Sequence, residues 1–307
     1  MDTDWMDVRR LRLLLELSRL GSMRQVAEEL GYTTSTVSQQ LAALAREAGT
    51  PLVEPDGRRV RLTPAGRRLA DHAVTILAAV EAARLDLGPD AEPAGTVRVA
   101  GFATAVRRSL LPVVDALSAS HPRVRVHVHE YEPLEAFDLL AADDVDLALT
   151  YDYNLAPAGL RSDLDAIHLW DVEWGLGVPS DGRAPGGDAA AVFAAFSDHP
   201  WIVNSRNTAD EDAVRTLASM AGFTPRIEHQ IDSLDLVEDL ILAGLGVGLL
   251  PRTRRCQRGV RVLPLRDPGV VLRAYAVTRR GREDWPPLRL VVERLRTGAT
   301  SEGTDPV

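Results

Sequence analysis

The chain has no lysine: all 35 of its basic side chains are arginine. With so much alanine present, this reads as a mark of GC-rich coding and carries no functional inference. Cysteine occurs once, at Cys256, which rules out a disulfide within the chain and fits a reducing compartment. Cys256 reads as a structural or incidental thiol rather than as a redox sensor. No long hydrophobic run is present. The longest, Leu240 to Leu250, is interrupted by Gly244, Gly246 and Gly248 and falls short of a membrane span. The opening Met1-Asp2-Thr3-Asp4 is acidic and has no apolar stretch, so the expectation is no secretory signal, no membrane association and a cytoplasmic location. A net charge of −9 argues against a protein that coats nucleic acid nonspecifically, but not against one that reads a sequence through a local surface.

What is present is 307 residues, 45% apolar and 26% charged, enough for two or three soluble domains. The charge divides along the chain. Residues 1–88 hold 12 arginines and 12 acids, whereas the remainder holds 23 arginines and 32 acids. The acidic excess lies entirely beyond Gly88.

Three short helical patterns open the chain. Val8, Leu11, Leu14 and Leu15 make one apolar stripe, which Gly21 ends. Ser22 is placed to cap a second helix, Met23 to Leu30, with Val26, Ala27 and Leu30 facing inward. After the turn Gly31-Tyr32, Thr33 or Thr34 caps a third helix running to about Ala48, buried along Val37, Leu41, Leu44 and Ala48. Opposite that stripe stand Ser35, Thr36, Ser38, Gln39 and Gln40. A helix, a glycine turn and a helix rich in short hydroxyl and amide side chains make the helix-turn-helix arrangement, and such side chains reach base edges or phosphates in a major groove. A small helical bundle with a polar outer face remains the alternative at this point.

The next segment favours DNA. Leu52-Val53 and Val60-Arg61-Leu62 read as two strands around the turn Pro55-Asp56-Gly57, with Arg58, Arg59 and Arg61 forming a basic wing for the phosphate backbone. Ser22, Arg24, Thr33 and Thr34 join these residues in the candidate DNA-binding set. Thr63-Pro64 opens a long helix whose Leu69, Ala73, Ile76, Val80, Ala83 and Leu87 follow heptad spacing. A seam this narrow fits pairing with a second copy, so a homodimer is expected, reading two DNA half-sites.

These segments resemble the N-terminal signature of LysR-type transcriptional regulators: Gly21-Ser22-Met23-Arg24-Gln25-Val26-Ala27-Glu28-Glu29-Leu30, then Val37-Ser38-Gln39-Gln40-Leu41, then Gly57-Arg58-Arg59-Val60-Arg61-Leu62-Thr63-Pro64-Ala65-Gly66. The resemblance implies a winged helix-turn-helix, a dimerising linker helix and a C-terminal effector-sensing domain. It departs in the wing. Where the family has an aromatic residue followed two positions later by arginine, this chain has Val53, Glu54 and Pro55, which removes one phosphate contact. Ala45 stands where an acidic residue is usual.

Beyond the linker-like Gly88–Gly95, β-branched runs alternate with helical patterns. Strands are expected at 96–100, 124–131 and 146–150, then at 172–178, 201–203, 227–231, 246–250, 260–263 and 272–278. Helices are expected near 105–120, 134–142, 189–196, 210–221, 234–243 and 287–296. This alternation predicts two α/β lobes with a cleft between them. Ligands of open α/β sheets settle beyond strand C-termini. That rule selects Phe102, Ala103 and Thr104; Tyr151 and Asp152; Asn204, Ser205 and Arg206; and Asp232 and Ser233. The half also resembles the LysR effector domain in 95–100, Leu110-Leu111-Pro112 with His121-Pro122, 146–149 and Ala243–Pro251. In that family the cleft takes a small inducer, often an organic anion, and Thr104, Asn204 and Ser233 fall at matching loop positions.

The expected fold is therefore α/β with a winged N-terminal domain: winged helix-turn-helix 1–63, linker helix 64–88, hinge 89–95, and a two-lobed, periplasmic-binding-protein-like domain 96–297. Lobe 1 takes about 96–168 and 266–297, lobe 2 about 169–265, and a flexible tail 298–307. The expected partners are double-stranded promoter DNA, a small-molecule effector, a second copy as homodimer or homotetramer, and RNA polymerase. Neither cofactor nor metal is expected. His127 and His129 share one strand face, but two histidines without a third ligand do not hold a metal. Trp170, Trp174 and Trp201 read as core, Gly246 and Gly248 as tight packing, Ala184–Ala191 and Thr297–Val307 as flexible. Arg206 stays open between a surface residue and an anion clamp. A solute-binding protein or an enzyme on the same fold are the alternatives. The helix-turn-helix opposes the first, and the lack of a nucleophile–base pair, metal cluster or nucleotide loop opposes the second.

Overall fold

A computed structural model describes residues 6–56, 59–88, 92–159, 161–181, 185–206 and 209–301. The chain begins with α1 (Val8–Leu20), capped by the Asp7 carboxylate and ended by Gly21 at φ 63°, a left-handed conformation that glycine adopts without strain. Gly31 at φ 70° ends α2 (Met23–Leu30) in the same way. Ser22 occupies the cap position of α2, but its side chain makes no capping hydrogen bond. Thr33 does cap α3 (Thr34–Glu47), its Oγ1 accepting from the Thr36 N–H at 3.1 Å. Strands β1 (Val53–Asp56) and β2 (Arg59–Leu62) form the wing, with Glu54 opposite Arg61. Pro55 and Asp56, expected in the turn, belong to β1 and pair with Val60 and Arg59; Gly57, the third residue of the expected turn, lies outside the described residues.

Helix α4 (Pro64–Leu87) starts where Thr63 Oγ1 accepts from the Gly66 N–H at 3.0 Å. Its two apolar sides go different ways. Ala70, Ala73, Val74 and Leu77 pack on α1, whose leucines dominate the N-terminal core. Leu69 also joins this core, so Leu69 and Ala73, expected in the self-pairing seam, turn inward within their own chain. Ile76, Val80, Ala83 and Leu87 remain exposed in one row, spaced four, three and four residues apart.

The C-terminal half is one nine-stranded sheet that joins both lobes. Lobe 1 supplies β3 (Gly95–Gly101) with β4 (Val124–Glu130) and β5 (Leu147–Tyr153) parallel on either side. Its helices are α5 (Ala103–Ala105), α6 (Leu111–Ser120) after a π turn, and α7 (Pro133–Ala141). Lobe 2 supplies β7 (Pro200–Val203) with β8 (Arg226–Gln230) and β9 (Val247–Pro251) parallel on either side, plus α8 (Ala189–Ala194), α9 (Ala209–Met220) and α10 (Leu234–Leu242). Two long antiparallel strands bridge the lobes: β6 (Leu164–Pro179) and β11 (Val270–Arg279), while β10 (Val260–Pro264) pairs β6 at the side. Strand β6 begins at Leu164 and so runs through the expected lobe boundary near 168–169. Helix α11 (Pro286–Ser301) packs back on lobe 1, so 297–301, expected to be flexible, are helical. Ala189, expected in a flexible stretch, is buried at the start of α8.

The linker helix rests on lobe 1. Arg279 bonds Asp71 of α4 at 2.6 Å and faces Asp143 at 3.5 Å. Nearby, buried Asp146 is held between Arg98 and Arg282. Burial alone would raise the Asp146 carboxyl, but the Arg98 hydrogen bonds and both guanidinium charges outweigh it and hold the group below its usual range.

Helix α4 and the wing meet closely at Gly66, where a Cβ would lie 2.0 Å from the Leu52 carbonyl oxygen. Alanine gains about 1 kcal/mol of helix propensity over glycine, less than the ~1–3 kcal/mol of overpacking against backbone. Gly66→Ala is therefore expected to lower the melting temperature of the N-terminal domain by several degrees in calorimetry. An unchanged or raised midpoint would show that α4 moves away from the wing without cost.

Candidate functional site

Two surfaces carry chemistry. On α3, Val37, Leu41 and Leu44 are wholly buried, which turns Thr34, Ser35, Ser38 and Gln39 outward, next to the exposed cap residue Thr33. Thr36 is half-buried and shares its hydroxyl with Thr33 at 2.8 Å. Gln40 is also half-buried and accepts from Arg10 Nε at 2.8 Å, while Arg10 pairs with Glu47. That polar brace fixes the angle of α3 on α1. Ser22 is half-buried, and Arg24 is exposed beside Glu28 at 2.8 Å. In the wing Arg61 pairs with Glu54 at 2.8 Å, so part of its charge is engaged within the hairpin. Arg58 and the side chain of Arg59 lie outside the described residues. Tyr32, on the turn before α3, is exposed, and neither composition nor period singles it out.

The second surface is a cavity of about 130 Å³ between the lobes, large enough for a benzene-sized ring. Phe102, Ala103, Thr104 and Arg108 line it from the β3 end, Glu130 and Glu132 from the β4 end, and Tyr151 from β5. Lobe 2 contributes Asn204, Asp210 and Asp232, and the bridging strand β6 contributes Trp170 and Trp174. The aromatic wall is edge-packed, with Phe102 4.7 Å from Tyr151 and 6.2 Å from Trp170. Arg108 lies 4.6 Å over the Trp170 ring.

A hydrogen-bond chain crosses the cleft. Asn204 Nδ2 donates to Tyr151 Oη at 2.7 Å, and that hydroxyl donates to Glu132 Oε2 at 2.9 Å. Asn204 Oδ1 accepts from the Asp210 N–H at 3.3 Å. This chain ties lobe 2 to lobe 1 through Tyr151. The Asp210 Oδ1 atom is sealed from solvent beside the Tyr153 hydroxyl. Burial pushes this carboxyl up to about 7; the adjacent Tyr153 hydroxyl offsets part of the rise, and the Glu132 and Asp232 charges add to it. Asp232 behaves oppositely. Its burial is outweighed by the Ser205 O–H and N–H and by Arg206, which together hold it below the usual carboxylate range.

These two surfaces, a winged helix pair and a two-lobed cleft, have counterparts in known proteins. Residues 90–300 match the model of the LysR substrate binding domain, and residues 8–67 that of the bacterial regulatory helix-turn-helix protein of the lysR family. The chain belongs to the LysR family. It is 26% identical over 284 residues to the transcriptional dual regulator GltC of Bacillus subtilis, covering 91% of this chain and 92% of GltC. It is 28% identical over 258 residues to the nitrogen assimilation regulatory protein nac of Escherichia coli, covering 81% and 79%. In fold it is similar to a full-length OxyR variant of Pseudomonas aeruginosa (TM-score 0.71, 19% identity, covering 96% and 95% of the chains). It is similarly close to ArgP of Mycobacterium tuberculosis (TM-score 0.70, 19% identity, covering 96% and 98%). The chain is a LysR-type transcription regulator with a DNA-binding domain and an effector-binding domain; the family is one of regulators, not enzymes. Among the described residues no helix is long and apolar enough to cross a membrane, and no cluster of His, Cys, Asp or Glu is placed to hold a metal.

Of the residues selected at strand ends, Phe102, Ala103, Thr104, Tyr151, Asn204 and Asp232 line the cavity. Asp152 does not. Strand β5 continues to Tyr153, so alternation sends Asp152 to the opposite face, where Arg273 binds it at 2.8 and 3.0 Å. Ser205 and Arg206 lie outside the lining and serve Asp232, and Ser233 caps α10. Arg206 also faces Glu130 and Glu135 of lobe 1 at 3.9 and 3.6 Å, ion pairs across the cleft. Trp170, Trp174 and Trp201 all belong to the core, as expected, and Trp170 and Trp174 also line the cavity. Sequence reasoning missed Arg108, Glu130, Glu132 and Asp210. The strand-end rule would have found Glu132 had it been applied after β4.

Because the Asp210 carboxyl rises from 3.8 to about 7 on folding, the native state holds a proton that the unfolded chain has lost across that interval. Stability therefore falls as pH rises from about 4 to about 7. Facing Asp210 are Tyr151 and Tyr153 of β5, Glu132, Asn204 and Asp232. Asp210→Asn removes the penalty, so its gain in melting temperature over wild type should be several degrees at pH 8 and only a small part of that at pH 4.5. An offset equal at both pH values would contradict the assignment.

Proposed function

We propose that the chain grips promoter DNA as a homodimer, or a dimer of dimers, through α3 in adjacent major grooves, and releases or repositions that grip when a small molecule enters the interlobe cleft. The observation that carries this reading is the exposed row Thr33, Thr34, Ser35, Ser38 and Gln39 over a fully buried Val37–Leu41–Leu44 side. Ser38 and Gln39 read base edges. Ser22, Arg24, Thr36 and Gln40 set register on the backbone, and Arg58, Arg59 and Arg61 follow the phosphates. The exposed row Ile76, Val80, Ala83 and Leu87 is the pairing seam between copies, since four aligned apolar side chains on a helix bury together against a second helix. Cavity residues Phe102, Ala103, Thr104, Tyr151 and Asn204 receive the effector. Its signal reaches α4 through lobe 1, where Arg279 and Asp71 join the two domains. A cytoplasmic site of action and contact with RNA polymerase complete the reading.

Gln39→Ala should weaken binding to the duplex upstream of the gene by tenfold or more in fluorescence anisotropy, because one bidentate base contact is worth ~1–3 kcal/mol, while leaving binding to random DNA unchanged. Equal losses on both duplexes would place Gln39 on phosphates. Wild type binding both duplexes alike would remove the regulator reading. Val80→Asp with Leu87→Asp should halve the particle mass in light scattering, and an unchanged mass would place the dimer contact elsewhere.

A further inference from the structure

The resemblance to LysR regulators points to an acidic inducer, but the cleft of this chain is built for the opposite charge. Four carboxylates line it, Glu130, Glu132, Asp210 and Asp232, against one lining cation, Arg108. Arg108 is already stacked on Trp170. Arg206, at the rim, is engaged by Asp232, Glu130 and Glu135. Counting both arginines still leaves an acidic excess. Glu132 is buried and accepts from the Tyr151 hydroxyl and from the Glu135 N–H. Asp210 borders the cavity with its carboxyl buried against the Tyr153 hydroxyl, a neutral group, and beside the Glu132 and Asp232 charges. A buried carboxylate among other acids is stabilised by an incoming cationic N–H group. The aromatic part of the wall is Phe102, Tyr151, Trp170 and Trp174, whose ring faces attract cations and repel anions.

We propose that the effector of this regulator is a small organic cation, a primary amine or amidine on an apolar body of about one ring, held between Glu132 and Asp210 with its body against Trp170 and Trp174. This rests on reading the cleft as the effector site. An organic anion in the same place would set its charge beside two buried carboxylates, which low-dielectric surroundings make strongly unfavourable. Cation binding favours ionised Asp210, so a proton leaves as the amine enters. The groups facing Asp210 are Glu132, Asp232, Asn204, Tyr151 and Tyr153, with Arg108 and Arg206 as the nearby cations.

The test uses full-length protein and four probes: benzylamine and phenethylamine against benzoate and phenylacetate, followed by thermal shift and titration calorimetry. The amines should raise the melting temperature and the acids should not. Amine affinity should rise about tenfold from pH 6 to pH 8 as Asp210 ionises, and should fall at least tenfold in Glu132→Gln and in Asp210→Asn. Far-UV circular dichroism and a single cooperative melt of each variant show that it is folded. Stabilisation by the acids alone overturns the cation proposal while leaving a cleft-binding effector intact. Amine binding that is unchanged in both variants, or no stabilisation by any probe, overturns it as well. Loss of upstream-duplex binding by unliganded wild type would instead strike the regulator reading.

Discussion

Burial of one side of α3 is the constraint on which the rest of the molecule depends. Val37, Leu41 and Leu44 have no exposure at all, so the helix has no freedom to rotate, and the hydroxyl and amide row on its other side must face outward. The Arg10 contacts to Gln40 and Glu47 fix its tilt. Gly66, with the Leu52 carbonyl hard against it, fixes the wing beside it. A recognition helix gains specificity only when its base-facing side chains are held in register before DNA arrives. Here that preorganisation comes from apolar packing and not from the wing, where Arg61 is shared with Glu54.

The effector half uses a few contacts to a different end. Strand β6 pairs with β11 beside lobe 1 and with β9 of lobe 2, so one sheet joins the lobes. What can change is local: the Asn204–Tyr151–Glu132 chain and the Arg206 ion pairs that cross the cleft. A ligand that competes for Glu132 or Asp210 alters these directly. Strand β11 ends at Arg279, whose bond to Asp71 places α4 one contact away from lobe 1. Coupling between cleft and DNA then needs only a differential preference of ligand for one setting of these contacts.

Much of this was legible in the sequence because local chemistry enforces it. Gly21 and Gly31 end helices, Thr33 and Thr63 cap them, and Pro64 opens α4, all within a few residues of the positions read from the chain. The failures share one cause: contacts with distant segments. Tyr151 and Asp152 look equivalent at a strand end, yet pairing with β11 extends β5 and sends Asp152 to Arg273, 121 residues away. Heptad spacing in α4 was correctly apolar, but α1 covers Leu69 and Ala73 and leaves only the later positions free. Trp170 and Trp174 are core residues as read, but composition does not show that they also face a cavity. Asp210 looked like an ordinary acid in the first turn of a helix. Only the folded chain shows its carboxyl sealed behind Tyr153.

The central claim is that this protein reads DNA through the outward row of α3 from two copies at once. Hydroxyl-radical footprinting of the full-length protein on its upstream duplex tests it most directly. The account predicts two protected segments on one side of the duplex, separated by a whole number of helical turns of ~10 bp. A continuous footprint of no fixed phase, or a single isolated segment, would contradict it.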